Sequence, residues 1–487
     1  MHGTYHSLFH KYFSPPPISP YCLVNDLSTI LSSDALFTTA GEKWMEDQTL
    51  ESAKPQDALP VVDSVDIPLS AQRWNSFVFI LNNSITYFVA PVFYVGLLHA
   101  AILSSLGYSD AIANLPEAVF GWMLVTPILI AWIFQGAHLL KRILVINYLC
   151  KVLAGIAAAV LFYVAPKWLP VAIVAHAGVV GATSGITNMC LWEVIGSGMT
   201  SARRSWTLAM TFGFGPLFAL LGATASDMIL RGYELAPGFR IGPLEPPLSY
   251  AVLFGATVPA MLLAAASALL VRVPETASVE TSANKSDFRR GLRQYLTYRL
   301  ILVAACGFLL TNAGSMIMNN VGLLSKEVLG GPAEKYTGLQ FQIRFGCKSL
   351  LGFALGWFAI RFHAKGAALV TTIISLAGAL WALFVPGPWY LLSMGLLGAG
   401  ELHYIYYMNY IVASSPKERI RENTAYTNAL TSIASTMTLV YGVTSDRYGL
   451  RSSLCVAAAI MLAGVIIVTV FLPRQPHPPG SSVDRAN

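Results

Sequence analysis

The residues able to do chemistry stand inside apolar runs, where a charge is costly. Thr337, Gln340, Arg344 and Lys348 recur every three or four positions, the spacing that puts side chains on one face of a helix. A charge at the centre of a lipid-facing helix costs about 2.5–3.5 kcal/mol on insertion scales, so Arg344 and Lys348 must face a polar cavity or a partner. Two roles are open to them: an anion-attracting wall, or an ion pair with Glu401, the carboxylate that falls nearest the middle of an apolar run. Glu401 is followed by His403, Tyr404, Tyr406, Tyr407, Asn409 and Tyr410. Desolvation favours a neutral carboxyl, and a neighbouring cation favours the charged form. A carboxylate that changes partners can therefore take up and release a proton. An imidazole titrates near neutrality when unperturbed, so His403 is a second group for proton traffic. His403, Tyr407 and Tyr410 can share one helical face, though the tyrosines also fit an interfacial aromatic belt.

Other intramembrane polar residues are amides: Asn82, Asn83, Asn312, Asn319 and Asn320. Amides hydrogen-bond a solute or join helices, and Asn83 and Asn312 are the candidates for solute contact. The substrate-binding or coupling set is thus Arg344, Lys348, Gln340, Glu401, His403, Tyr407, Asn312 and Asn83. Glu193 lies near the end of another run, close to Arg203 and Arg204, and these three form a candidate gate. Cys150, Cys190, Cys306, Cys347 and Cys455 fall in apolar runs without CxxC or CxxH spacing, so they read as small apolar residues and no metal site is expected. No GxSxG, HExxH or Asp-rich cluster supplies a catalytic residue, and no cofactor motif is present.

The elements that must position these groups are hydrophobic helices. The chain has 487 residues, 55% hydrophobic and only 11% charged, against about 25% charged in soluble domains. Its apolar runs are long enough to cross a bilayer core of about 30 Å. In lipid every backbone polar group must be satisfied within the element, so the runs read as helices; barrel strands would alternate polar and apolar residues. Spans are expected at 75–103, 116–136, 143–164, 170–195, 206–228 and 249–271, then 300–325, 337–360, 366–386, 389–413, 424–444 and 452–472. The expected fold is all-α, about twelve transmembrane helices in two pseudo-symmetric six-helix bundles. Residues 1–73 form an N-terminal tail, 74–272 and 299–473 the bundles, 273–298 a polar central loop and 474–487 a C-terminal tail. The tail lacks a basic start followed by a short apolar core, so no signal peptide is read there.

Charge placement gives an orientation. Lys141, Arg142, Arg203, Arg204, Lys285, Arg289, Arg290, Arg293, Arg299, Arg361, Lys365, Lys417, Arg419 and Arg421 cluster on the side of the N-terminal tail. By the positive-inside rule both termini are cytosolic. The net charge of +6 is spread through these short loops, which argues against nucleic acid. Lys151, the one charge of the third span, is expected to snorkel to the inner face.

The halves resemble each other. Gly178-Val-Val-Gly-Ala182 recurs as Gly395-Leu-Leu-Gly-Ala399, and Val95-Gly-Leu-Leu98 as Val321-Gly-Leu-Leu324. Trp132 and His138 match Trp357 and His363 at one common offset, and Gly222-Ala-Thr-Ala-Ser-Asp227 resembles Gly442-Val-Thr-Ser-Asp446. Repeated halves of even span number imply a two-fold axis along the membrane normal, with a solute site between the halves near the midplane.

With this repeat, the long basic central loop, and the loops Gln135-Gly-Ala-His-Leu-Leu-Lys-Arg142, Arg361-Phe-His-Ala-Lys-Gly366 and Asp446-Arg-Tyr-Gly449, the chain resembles the major facilitator superfamily over residues 74 to 473. The first two loops keep the Gly and basic residues of the family pattern and lack its Asp. The resemblance implies that spans one, four, seven and ten line a cavity. It implies a secondary transporter in the plasma (inner) membrane that moves a small polar solute, anionic or neutral, by alternating access. Its expected partners are that solute, the lipid bilayer and protons as coupling ion, with the chain a monomer. The alternatives are a transporter-like sensor that does not transport, and a membrane-embedded enzyme.

Overall fold

The computed structural model describes residues 68–94, 96–134, 139–236, 239–241, 244–272, 287–416, 419–474 and 476. The tail 1–67, most of the loop 273–298 and His138 lie outside them. So do the side chains of Trp357, Arg361 and His363, which belonged to the repeat and the loop patterns.

Among the described residues the helices compose twelve crossings. The first is built of Leu69–Phe88, Ala90–Phe93 and Leu97–Ser105; the second of Asp110–Met123 and Thr126–Ile133. Leu140–Val164, Leu169–Gly198 and Ser201–Arg231 are the third to fifth, and Leu248–Gly255 with Thr257–Ala268 the sixth. Arg299–Ser315, Met318–Leu323 and Ser325–Val328 make the seventh. Glu334–Phe384 is one continuous helical stretch of 51 residues. At 1.5 Å per residue it would be about 76 Å long if straight, far more than one membrane. It doubles back instead: a Cβ on Gly398 would meet Arg344, and one on Gly400 would meet Ser375, so its two arms pack against one short segment. They are the eighth and ninth spans. Leu392–Gly400 with His403–Ala413, Ile420–Tyr448 and Leu450–Phe471 complete the bundle.

Among the described residues, eight helices are long and apolar enough to cross a membrane on composition alone; the first, eighth, tenth and eleventh crossings are not among them. A two-stranded antiparallel hairpin, Tyr233–Ala236 with Phe239–Ile241, joins the fifth and sixth spans. It marks one end of the bundle, the hairpin end; the other is the basic end.

Packing repeats between halves. The first span packs on the fifth and sixth, as the seventh does on the eleventh and twelfth. Across the middle, the second span meets the eleventh and the eighth meets the fifth, two interfaces exchanged by a two-fold rotation. Both rely on small residues that let backbones approach: Gly121 lies against Ser435, and Gly352 against the Phe212 carbonyl. Leu153, Leu263 and Val470, on the third, sixth and twelfth spans, point outward with 65%, 61% and 63% exposure, as lipid-facing residues must.

Three expectations are corrected. Lys151 does not snorkel: it is 3% exposed and its Nζ lies 5.2 Å from the Tyr148 ring centroid, because the third span starts at Leu140 and carries Lys151 deep into the bundle. The central loop is not wholly irregular. It ends in the helix Asp287–Thr297, whose Tyr295 packs on Tyr426 at 5.3 Å and shares a 3.0 Å hydrogen bond with Thr427. The second span starts at Asp110, not near 116, which places Glu117 inside the bundle.

Candidate functional site

Glu401 stands where the tenth span is segmented, between Leu392–Gly400 and His403–Ala413. The first and seventh spans are segmented as well; at Met316–Ile317 and Glu401–Leu402 the backbone keeps helical dihedrals and tightens to i→i−3 hydrogen bonds.

The stripe of the eighth span closes on Glu401 from the side. Lys348 Nζ donates to Glu401 Oε2 at 2.7 Å, and the Arg344 guanidinium pairs with Oε1. The side chains are 8%, 11% and 17% exposed respectively for Lys348, Arg344 and Glu401, so water screens the pairs little. One carboxylate thus holds two cations. Aromatic rings surround them: Lys348 Nζ lies 5.6 Å from both Tyr87 and Tyr94, and Arg344 is 5.4 Å from Phe345 and 6.0 Å from Phe341. Tyr87 and Tyr94 come from the first span, on either side of its break, so each half supplies a wall. Ring faces attract cations, and they exclude water while leaving the cations' remaining donors free for an anion.

Three buried polar atoms here lack a hydrogen-bond partner among the described residues, Arg344 Nε, Gln340 Oε1 and His403 Nε2, as does Asn312 Nδ2 on the seventh span. A buried polar group without a partner calls for an explanation, and a bound solute supplies one. The His403 tautomer follows from its contacts. Nδ1 lies 2.9 Å from the Gly400 carbonyl, which can only accept, so Nδ1 carries the proton and Nε2 is an open acceptor.

The other expected residues are placed as follows. Gln340 donates to the Gly322 carbonyl at 3.1 Å and to the Tyr390 hydroxyl at 3.2 Å. Tyr407 turns into its own half, with its hydroxyl 3.2 Å from Thr372 and 3.4 Å from Thr311; the ring that crosses between halves is Tyr404, bonded to Asn188. Asn83 donates to its own helix at Phe79. Glu193 is clamped by Arg421, a partner not foreseen among Arg203 and Arg204. Arg203 donates to Ser76 at 3.1 Å, and its guanidinium lies 4.4 Å from the Trp206 ring centroid. Sequence reading missed Tyr87, Tyr94 and Glu117, since an aromatic in an apolar run carries no signal of what it faces.

Cross-half contacts close both ends. At the basic end are Glu193–Arg421, Arg421 to the Phe134 carbonyl at 2.9 Å, and Asn188–Tyr404. At the hairpin end, Asp446 accepts from the backbone N–H of Asp110 at 3.0 Å and Ala111 at 3.2 Å. It caps the second span from the other half, where an anion is favoured by the helix dipole. Lys326 pairs with Asp110 at 2.9 Å. Among the described residues the two halves therefore touch at both ends.

No protein-family model and no curated protein matches the chain. Solved structures match over most of it. The Escherichia coli fucose:proton symporter has 15% identity and a TM-score of 0.56 over 84% of this chain and 100% of that one. The human organic anion transporter MFSD10 has 12% identity and a TM-score of 0.59 over 82% and 100%. A D-xylose–proton symporter has 14% identity and a TM-score of 0.59 over 82% and 98%. The chain has the fold of the major facilitator superfamily transporters, a polytopic membrane architecture built of helices with one short hairpin.

Proposed function

We propose that this protein is a secondary active transporter for a small polar anion, a carboxylate or phosphate, working by alternating access with proton coupling and with its basic end in the cytosol. The observation that carries the reading is the doubly held carboxylate. Arg344 and Lys348 form an anion site, and in this structure Glu401 is the anion within it. A solute carboxylate or phosphate competes for the same donors and frees Glu401. Once released, Glu401 is a desolvated carboxylate without its cations, and protonation becomes favourable. Solute and proton are then linked through one pair of cations. The open atoms of Gln340, Asn312 and His403 suit hydroxyl or amide groups on the solute.

Alternating access follows from the two closures. Rotating one half against the other about the second/eleventh and fifth/eighth interfaces opens one end while the other stays shut. The test uses proteoliposomes loaded with candidate solutes. Glu401→Gln should abolish accumulation driven by an imposed proton gradient and retain solute exchange, which requires no net proton release. If Glu401→Gln still accumulates solute, Glu401 is only a structural partner and the coupling scheme fails.

A further inference from the structure

Several hydroxyls of the eleventh span bond to their own helix. Thr427 donates to the Asn423 carbonyl at 2.8 Å, Ser435 to the Thr431 carbonyl at 2.8 Å and Thr438 to the Ser435 carbonyl at 2.7 Å, the usual partners of a hydroxyl inside a helix. Thr424 and Thr431 do not follow them. Their Oγ1 atoms are buried without a hydrogen-bond partner among the described residues, and so is Nδ2 of Asn428 between them. Thr424, Asn428 and Thr431 are 0%, 1% and 6% exposed. Their spacing of four and three residues sets them on one face of the helix. A buried donor or acceptor left unpaired carries its full desolvation cost, so three on one stripe call for a common partner.

The stripe faces the other half. Ser435, its next residue, packs against Gly121 of the second span. Asn428 Oδ1 accepts from the Tyr404 hydroxyl at 2.8 Å, and that hydroxyl accepts in turn from Asn188 Nδ2 of the fourth span. Asn428 thus turns its oxygen to Tyr404 and leaves its nitrogen open. Tyr404 is tied to the ion cluster through its own backbone. Its N–H donates to the Glu401 carbonyl at 3.2 Å, an i→i−3 turn in which side chains three apart eclipse. Tyr404 therefore stands in line with Glu401, one turn toward the basic end. The tenth and eleventh spans run in opposite directions, so the step from Asn428 to Thr431 leads back toward the level of Glu401.

We infer that Asn428 and Thr431 form a hydroxyl-recognising subsite, held in place by Tyr404, and that the solute is a hydroxylated carboxylate or phosphate. On the anion reading proposed above, on which this rests, the charged group of the solute meets Arg344 and Lys348 while its hydroxyls meet the eleventh span. A hydroxyl donates and accepts at once, so one solute group can serve the Asn428 amide and the Thr431 hydroxyl together. An unsubstituted alkyl acid would leave both buried without a partner. Sites that hydrogen-bond a hydroxyl reject the analogue lacking it far more strongly than an apolar pocket rejects a change of one methylene. Thr424, a turn further toward the basic end, continues the same stripe.

Calorimetric titration of purified full-length protein in detergent tests this with three pairs of probes: lactate against propionate, gluconate against hexanoate, and glycerol phosphate against propyl phosphate. Wild type should bind the hydroxylated member of at least one pair about tenfold or more tightly than its deoxy partner. Thr431→Val, which keeps the shape and removes the hydroxyl, and Asn428→Leu should each lower that ratio by about threefold or more. Thr431→Ser, which keeps the hydroxyl, should retain it. Thr431→Val leaves the Asn428–Tyr404 bond in place, so it separates recognition from the packing of the span. Equal affinities within every pair in wild type, or a ratio unchanged in both Thr431→Val and Asn428→Leu, overturns the subsite while the anion reading stands. Binding of no member of any pair by wild type overturns the subsite and the anion reading together.

Discussion

At the scale of single residues, charge counting at the central cluster orders the variants. Arg344, Lys348 and Glu401 sum to one excess positive charge. Lys348→Gln leaves a single matched pair. Glu401→Gln leaves two buried cations side by side, and removing one partner of a buried ion pair typically costs about 3–5 kcal/mol. Glu401→Gln is therefore expected to lower the unfolding temperature in detergent more than Lys348→Gln, and adding Lys348→Gln to it should restore part of the loss. A double-mutant cycle isolates this coupling; strictly additive effects would contradict the shared carboxylate. Arg344→Gln and Lys348→Gln should each impair transport while leaving the protein folded, which uptake assays beside thermal unfolding would show.

At the scale of elements, the site exists because glycines clear space between helices. A Cβ on Gly398 would sit 2.5 Å from the Arg344 carbonyl and 2.6 Å from Arg344 Cγ. Gly398→Ala must push the eighth and tenth spans apart, at an overpacking cost of about 1–3 kcal/mol. Reduced thermal stability with loss of uptake is the expected outcome, and an unchanged protein would contradict the packing. Much of this level was legible in the sequence. Hydropathic length gave the spans to within a few residues, and the period of Thr337, Gln340, Arg344 and Lys348 gave the stripe that meets Glu401. The irregularity of the tenth span was not legible: Glu401–Leu402 sits in an apolar run, and its backbone stays helical while the hydrogen bonds around it shorten to i→i−3. Glu117 escaped because the expected second span began at residue 116 and so set it at the span's edge, whereas Asp446 of the other half caps a helix that already starts at Asp110. Arg421 escaped as partner of Glu193 because the pairing is between halves, over a sequence distance no local pattern spans.

At the scale of the whole molecule, two closures oppose each other. Asp446→Asn weakens the cap on the second span and should favour opening at the hairpin end. Arg421→Gln removes the cross-half pair with Glu193 and should favour opening at the basic end. With native cysteines replaced, a maleimide that cannot cross membranes should label Ser445→Cys faster in the first variant and Asn188→Cys faster in the second. Equal labelling in both would contradict a rocking bundle. The central claim is that an anionic solute is recognised by Arg344 and Lys348 in place of Glu401. It is tested most directly by thermal unfolding of purified protein with carboxylates, phosphates and neutral sugars, because a ligand bound only by the folded state stabilises it. A carboxylate or phosphate should raise the unfolding temperature of wild type and lose that effect in Arg344→Gln and Lys348→Gln. Stabilisation by a neutral sugar, undiminished in both variants, would contradict the account.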